Sequence, residues 1–151
     1  MIRVGVIGAA GRMGATVCNA VHADSDLELV AAVDPQSPGA TIHGVTIASE
    51  LRALADAKVD VAVDFTVADA ARVSLPWLAM HSMHAVVGTT GFTAGDLESF
   101  KKSFTNSNCL VAANFAIGAV LMMRFAEIAA PFFDTAEIVE IHHDEIGRAH
   151  V

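Results

Sequence analysis

The fold is decided by the stretch Gly8-Ala9-Ala10-Gly11-Arg12-Met13-Gly14. A short apolar run at residues 2–7 precedes it and is typical of a buried strand. Glycines spaced three residues apart let the backbone turn tightly and approach a ligand closely. The helix predicted next directs its free N–H groups to the same point, which suits a pyrophosphate. The same glycines would also serve a tight turn that binds nothing.

An acidic residue stands where a dinucleotide-binding unit needs one. Asp34 follows a second apolar run, residues 27–33, and lies 20 residues after Gly14. An acid at that distance accepts hydrogen bonds from the adenosine ribose. The glycine spacing is G-x-x-G-x-x-G rather than the commoner G-x-G-x-x-G. Because Asp34 precedes Pro35, and Asp-Pro pairs often start turns, a purely structural role for this acid stays open.

Apolar runs alternate with helix-forming segments along the whole chain. We predict strands at residues 3–7, 27–33, 59–64, 83–87, 109–112 and 136–142, and a loop at 35–44. Helices are predicted at residues 11–23, at 49–54 with Ser49 as cap, at 67–80 with a start or kink near Pro76, at 93–104 with a capping box of Thr93 and Asp96, and after Asn114. This alternation predicts an α/β fold, a Rossmann-type doubly wound parallel sheet with helices on both faces.

Ligands of such sheets bind outside the carboxyl ends of the strands. That rule gathers five segments that are distant in sequence. They are residues 8–14, Asp34, and residues 64–66, 88–91 and 113–115. We therefore expect one site at this edge of the sheet.

The composition narrows the classes of partner and compartment. The chain is 54% hydrophobic and 17% charged, and its net charge of −8 without a basic run argues against nucleic acid and anionic membranes. Its two cysteines imply no disulfide framework, so we expect a cytoplasmic protein, and the immediate start of a strand pattern leaves no room for a signal peptide. The apolar residues 116–133 are interrupted by charges and a proline, which favours a buried helix with core Phe and Met residues over a membrane span.

Five motifs occur in a characteristic order. They are Val6-Ile7-Gly8-Ala9-Ala10-Gly11-Arg12-Met13-Gly14, Val63-Asp64-Phe65-Thr66, Val86-Val87-Gly88-Thr89-Thr90-Gly91-Phe92, Ala112-Ala113-Asn114-Phe115-Ala116-Ile117-Gly118 and Glu140-Ile141-His142-His143. Over residues 1–145 the set resembles the dihydrodipicolinate reductase (4-hydroxy-tetrahydrodipicolinate reductase) family of the diaminopimelate route to lysine. The resemblance implies NAD(P)H-dependent reduction of a cyclic, dianionic substrate by a homotetramer. It also implies a Rossmann-type domain at 1–113 and the start of an α+β substrate and tetramerisation domain at 114–145.

The resemblance also implies roles for individual residues. By resemblance, Asp34 would bind the adenosine ribose. The pyrophosphate would be bound by Gly8, Ala9, Ala10, Gly11, Arg12 and Met13. The nicotinamide side would be contacted by Phe65, Gly88, Thr89, Thr90, Ala112, Ala113, Asn114 and Phe115. His142 matches the family's general acid/base, and His143 matches a contact to a substrate carboxylate. Asp34 favours NADH, because a carboxylate repels a 2′-phosphate. Because Arg12 could approach such a phosphate, we expect NADPH to be tolerated.

The chain departs from the family pattern near its end. The family has a lysine four residues after the first histidine, where this chain has Ile146, and a substrate-binding Gly-Thr segment should follow. We therefore expect a truncated substrate domain and a foreign tail at residues 146–151. Two competing hypotheses are a non-catalytic dinucleotide-binding fragment and another Rossmann-fold dehydrogenase.

Several residues keep a plainer interpretation. Residues 88–91 are also compatible with an ordinary loop, and Asn114 with an N-cap of the next helix. His142 and His143 are neighbours on a predicted strand, so their side chains point to opposite faces. They are compatible with half-buried structural histidines, and we predict no metal site there.

Overall fold

The computed structural model describes residues 1–135 and 137. The chain divides after Asn114 into two compact units. The predicted strand at 136–142, the two histidines within or next to it, and the tail at 146–151 lie outside the described residues, apart from Glu137.

The first unit alternates strands and helices. In chain order it contains β1 (Ile2–Ile7), α1 (Arg12–Ala23), β2 (Leu27–Val33), β3 (Thr41–Ile42), β4 (Val45–Ala48), α2 (Arg52–Asp56), β5 (Val61–Asp64), α3 (Ala68–Met80), β6 (His84–Val87), α4 (Ala94–Ser103) and β7 (Cys109–Val111). In this described part the strands form one sheet in the order β3-β4-β2-β1-β5-β6-β7, parallel throughout except for the β3–β4 pair. The predicted doubly wound parallel sheet is confirmed.

Both faces of the sheet are covered. Val6 of β1 belongs to a buried cluster with Cys18 of α1, whereas the next residue, Ile7, belongs to a second cluster with Leu54 of α2 and Leu75 of α3. Successive side chains of a strand point to opposite faces, so the two clusters are the two sides of the sheet. Burial on both faces explains why the strands are continuous apolar runs.

The predicted loop at 35–44 is wrong in its last part. Thr41–Ile42 and Val45–Ala48 form a hairpin, and β4 continues the sheet by pairing in parallel with β2. His43 and Gly44 connect the two strands, and both have positive φ, of 49° and 79°. Two such residues give the turn that matches the twist of a hairpin. The strand of two residues is too short to be recognised by alternation.

Two helix starts also differ from prediction. Ser49 does not cap α2, which begins at Arg52 after Leu51 and has no side-chain cap. Leu54 is fully buried, and its packing sets the helix position instead. Of the start or kink predicted near Pro76, the start is wrong: α3 begins at Ala68 and runs through Pro76, with Leu75 and Leu78 fully buried on either side of it. The predicted capping box of Thr93 and Asp96 is confirmed at α4.

The second unit begins with α5 (Ile117–Ala129) and a 3-10 turn, Ala130–Phe132. Ala116 is the N-cap of α5, so Asn114 does not cap this helix. The predicted core role of its Phe and Met residues is wrong for the described residues: Met122 and Phe125 are 60% and 64% exposed. One helix and one turn supply too few residues to enclose an apolar face. None of the described helices is long and apolar enough to cross a membrane.

Candidate functional site

A cleft of about 440 Å³ opens at the carboxyl edge of the sheet. It lies where the chain order reverses, between β1 and β5, which is where open α/β sheets bind ligands. Its lining residues come from three loops and the first turn of α3: Gly8, Ala10, Gly11, Asp34, Pro35, Gln36, Ser37, Phe65, Thr66, Val67 and Ala70. The cleft therefore unites the glycine loop (residues 8–14) with Asp34 and Phe65, as the sequence predicts.

The glycine loop is shaped by close backbone approaches. Gly8 has a φ of 79°, and its N–H donates to the carbonyl of Val33 at 2.8 Å. A Cβ on Gly14 would overlap the carbonyl of Gly8. Only glycine at position 14 lets α1 start this near the turn, so the motif fixes the distance between helix and cleft.

The first turn of α1 is equipped for an anion. Its N-cap, Gly11, supplies no side-chain cap, and no acid lies in the first turn. No described residue accepts a hydrogen bond from the N–H groups of Arg12, Met13 or Gly14. Unpaired N–H groups together with the helix dipole favour a negatively charged group here.

The side chain of Asp34 accepts two backbone hydrogen bonds at the end of β2. Its Oδ2 accepts from the N–H of Ala10 at 3.0 Å, and its Oδ1 accepts from the N–H of Gln36 at 3.0 Å. The second bond is the turn that the Asp-Pro pair predicts. The first holds the glycine loop against β2. The carboxylate lines the cleft while 8% exposed, so a ribose hydroxyl would meet a preorganised acceptor.

Phe65 and Gly88 are in close contact. A Cβ on Gly88 would overlap the ring of Phe65, so the absence of a side chain lets the ring lie on the loop after β6. Thr90 in that loop is exposed, whereas Thr89 is 3% exposed. The loop thus neighbours the cleft through Phe65, although residues 88–90 are not among the residues that line it.

The other predicted cofactor residues are placed as follows. Ala9 is fully buried, while Arg12 and Met13 are exposed at the start of α1. Ala112 follows β7, and its N–H donates to Val87 at 3.0 Å. Ala113 and Asn114 are exposed at the end of the first unit, and Phe115 begins the second unit. His142 and His143 lie outside the described residues.

The hydrogen-bond network of Asp64 is the feature that the sequence did not predict. The Asp64 carboxyl is fully buried at the end of β5 and accepts hydrogen bonds from side chains of α3 and of the loops after β5 and β6. The sequence placed residues 64–66 at the edge of the sheet without a role for the acid. An Asp that ends a buried strand, with Thr two residues later, is the local signal that was available.

Both thiols have a pKa above the usual value for cysteine. Burial raises the pKa of Cys18 to about 11, and burial together with the charge of Asp64 raises the pKa of Cys109 to about 11. A thiol that stays protonated at neutral pH is neither a nucleophile nor a good metal ligand. Among the described residues, no group of three or more His, Cys, Asp or Glu side chains is placed to hold a metal ion.

The fold and the cleft together define a Rossmann-type dinucleotide-binding domain. Residues 2–115 match the family model described as dihydrodipicolinate reductase, N-terminus. The chain therefore belongs to the dihydrodipicolinate reductase family, and the family predicted from its motifs is confirmed.

Relatives named 4-hydroxy-tetrahydrodipicolinate reductase agree with this assignment. The protein of Corynebacterium urealyticum is 47% identical over 146 residues, covering 95% of this chain and 54% of the relative. The protein of Mycobacterium ulcerans is 44% identical over 151 residues, covering 98% of this chain and 57% of the relative. The chain thus spans about half the length of the curated relatives that it matches.

Solved structures are similar over most of the chain. The dipicolinate-bound dihydrodipicolinate reductase of Paenisporosarcina sp. TG-14 matches with a TM-score of 0.83 and 35% identity, over 99% of this chain and 61% of that one. The WlbA dehydrogenase of Bordetella pertussis matches with a TM-score of 0.66 and 20% identity, over 85% of this chain and 43% of that one, and this likeness concerns the fold alone.

Proposed function

We propose that this chain is the cofactor-binding part of an NAD(P)H-dependent 4-hydroxy-tetrahydrodipicolinate reductase of lysine (diaminopimelate) biosynthesis. The observation that carries the proposal is the cleft between the glycine loop and Asp34, in a chain whose relatives bear that reductase's name. The substrate would be a small, cyclic dianion. The full-length protein would be a cytoplasmic homotetramer, and neither nucleic acid nor membrane would be its partner.

The cleft residues fit a nicotinamide dinucleotide. The pyrophosphate would take the unpaired N–H groups of Arg12 and Met13 beside the glycine loop. Asp34 would accept from the adenosine ribose. Phe65, the loop at 88–90 and residues 112–115 would contact the nicotinamide side of the cofactor. When bound, the nicotinamide supplies a hydride for the reduction.

We propose NADH as the preferred cofactor and NADPH as a tolerated one. The carboxylate of Asp34 lines the cleft, and a 2′-phosphate on the ribose would be repelled by its charge. Its Oδ1 and Oδ2 already bond to backbone N–H groups, which hold it in place. Arg12 is exposed at the start of α1, beside the glycine loop, and would be the cation that offsets such a phosphate.

His142 would serve as general acid/base and His143 as a contact to a substrate carboxylate. A histidine suits proton transfer near neutral pH, because its pKa lies there. Ile146, in place of the family's lysine, supports the competing hypothesis that this chain binds the dinucleotide without reducing the substrate.

Titration with NADH and NADPH, followed by nicotinamide fluorescence, tests the proposal. We expect saturable binding with a lower Kd for NADH, and binding of NADPH about tenfold tighter would contradict the preference. Adding 4-hydroxy-tetrahydrodipicolinate then separates the two hypotheses. Oxidation of NADH supports the reductase, and binding without oxidation supports the non-catalytic chain. No binding of either dinucleotide would overturn both.

A further inference from the structure

Asp64 is a buried carboxyl surrounded by hydrogen-bond donors. Its side chain is 0% exposed. Oδ1 accepts from the N–H of Thr66 at 3.0 Å and from the Thr66 hydroxyl at 2.6 Å, and Oδ2 accepts from the Ser74 hydroxyl at 2.6 Å. The Thr89 hydroxyl lies 3.2 Å from Oδ1. Three of these groups lie at Oδ1 and one at Oδ2, so both carboxyl oxygens have a donor.

Among the described residues, Asp64 is buried without an opposite charge beside it. No cation in the described part of the chain forms an ion pair with Asp64. Burying a carboxylate without an opposite charge is costly, and apolar residues of similar volume often stabilise such a position better. What the carboxylate adds, and an apolar residue does not, is a fixed geometry for several donors.

The donors come from three different elements. Thr66 is in the loop after β5, Thr89 in the loop after β6, and Ser74 on α3. Because Asp64 pairs with Val87 across the parallel strands β5 and β6, both loops leave the sheet side by side. The Thr89 hydroxyl also accepts from the N–H of Thr66 at 3.0 Å. Asp64 therefore joins two loops of the carboxyl edge to one helix.

The far end of the loop after β6 is anchored to the same helix. Arg72 of α3 lies 3.4 Å from the carbonyl of Gly91 and makes an ion pair of 2.9 Å with Asp96 of α4. The loop at 88–91 is thus held by α3 at both ends, through Asp64 and Ser74 at one and Arg72 at the other.

We infer that Asp64 is a positioning residue that fixes the loops after β5 and β6 for the nicotinamide half of the cofactor. This inference rests on the proposed function. The side chain of Asp34 accepts from the N–H groups of Ala10 and Gln36, which are outside the Asp64 network. Thr66 lines the same cleft as Asp34, whereas residues 88–90 do not. Disturbing Asp64 should therefore weaken contacts to the nicotinamide half more than those to the adenosine half.

The test compares two ligands, NADH and ADP-ribose, on four variants of the full chain. Asp64→Ala removes every acceptor, and we expect the Kd for NADH to rise about tenfold while the Kd for ADP-ribose changes less than about twofold. Asp64→Asn keeps an oxygen for the Thr66 donors and should restore most of the NADH affinity. Ser74→Ala removes only the link to α3 and should raise the NADH Kd about threefold, which keeps the test usable if Asp64→Ala does not fold.

Ser107→Ala is the matched control. Ser107 is also a buried serine, 8% exposed, but its hydroxyl has no hydrogen-bond partner among the described residues. Its loss should leave both dissociation constants unchanged. Equal weakening of NADH and ADP-ribose by Asp64→Ala and Ser74→Ala, or no weakening of either, overturns the inference. Failure of the unmodified chain to bind either ligand would instead overturn the proposed function.

Discussion

The carboxyl of Asp34 accepts a hydrogen bond from the backbone N–H of Ala10, with Oδ2 3.0 Å from the nitrogen. The acid after the second strand thus holds the glycine loop that follows the first strand. A residue that the sequence assigns to the ribose therefore also fixes the position of the glycine loop. Its substitution should affect both cofactor preference and stability.

Replacing Asp34 should change the preference between the two dinucleotides. Asp34→Asn keeps the size of the side chain, removes its charge, and leaves either Ala10 or Gln36 facing an amide nitrogen that cannot accept. We expect the Kd for NADH to rise about tenfold and the Kd for NADPH to rise less, because the repulsion of the 2′-phosphate is also removed. Asp34→Ala also leaves the N–H groups of Ala10 and Gln36 without their acceptor, which should cost about 1–3 kcal/mol of unfolding free energy. Fluorescence titration and urea unfolding measure the two effects. Asp26→Asn, an exposed acid of equal charge, is the control; equal ratios of the two constants in all proteins would contradict the role of Asp34.

Two glycines in helices should respond oppositely to alanine. A Cβ on Gly14 would overlap the carbonyl of Gly8, whereas a Cβ on Gly95 meets only the Thr93 hydroxyl at 3.7 Å. Gly14→Ala should destabilise the chain by about 1–3 kcal/mol and abolish measurable NADH binding, because α1 must move away from the loop. Gly95→Ala should stabilise it by about 0.5–1 kcal/mol, because alanine favours the helix. Similar thermal unfolding of the two variants would show that the close approach at Gly14 is not a constraint.

Much of this molecule follows from local sequence. The glycine loop, Asp34 and the buried strands each carry their chemistry within a few residues, so their elements and their common edge could be predicted. The hairpin at His43 and Gly44 could not, because β4 exists as a strand through its pairing with β2. The Asp64 network was missed for a similar reason: Thr89 is 25 residues away along the chain, and only the parallel pairing of β5 and β6 brings it there.

Of the two N-caps predicted from the sequence, Thr93 caps α4 and Ser49 does not cap α2. Thr93 Oγ1 accepts from the N–H of Asp96 at 3.2 Å, and the Asp96 carboxyl accepts from the N–H of Thr93 at 2.8 Å. Hydrogen bonding to Arg72, above all, holds the pKa of Asp96 well below its usual range. Thr93→Ala should cost about 1 kcal/mol of unfolding free energy. Ser49→Ala should cost almost nothing, because the exposed Ser49 caps no helix. Urea unfolding distinguishes the two, and a comparable loss from Ser49→Ala would restore the prediction that it caps α2.

The two thiols should make stability fall in alkaline solution. Burial raises the pKa of Cys18 and Cys109 from 9.0 to about 11 in the folded chain. Between these values the unfolded chain has lost thiol protons that the folded chain retains, so the unfolding free energy falls as pH rises. Their contribution is complete below about pH 9 and is lost towards about pH 11. The sequence has no tyrosine, so tyrosine ionisation does not contribute in this window.

Urea unfolding at several pH values from 8 to 11 measures this slope. Cys18→Ala and Cys109→Ala should each make the decline shallower, although Cys18→Ala should also lower stability at every pH, because its side chain is fully buried. Lysines titrate in the same range, so the difference in slope between each variant and the unmodified chain isolates the thiol. In folded protein at pH 8 both thiols should react slowly with iodoacetamide, and rapidly once urea unfolds the chain. Slopes that are identical in all three proteins would mean that the folded chain does not hold these protons more tightly than the unfolded one.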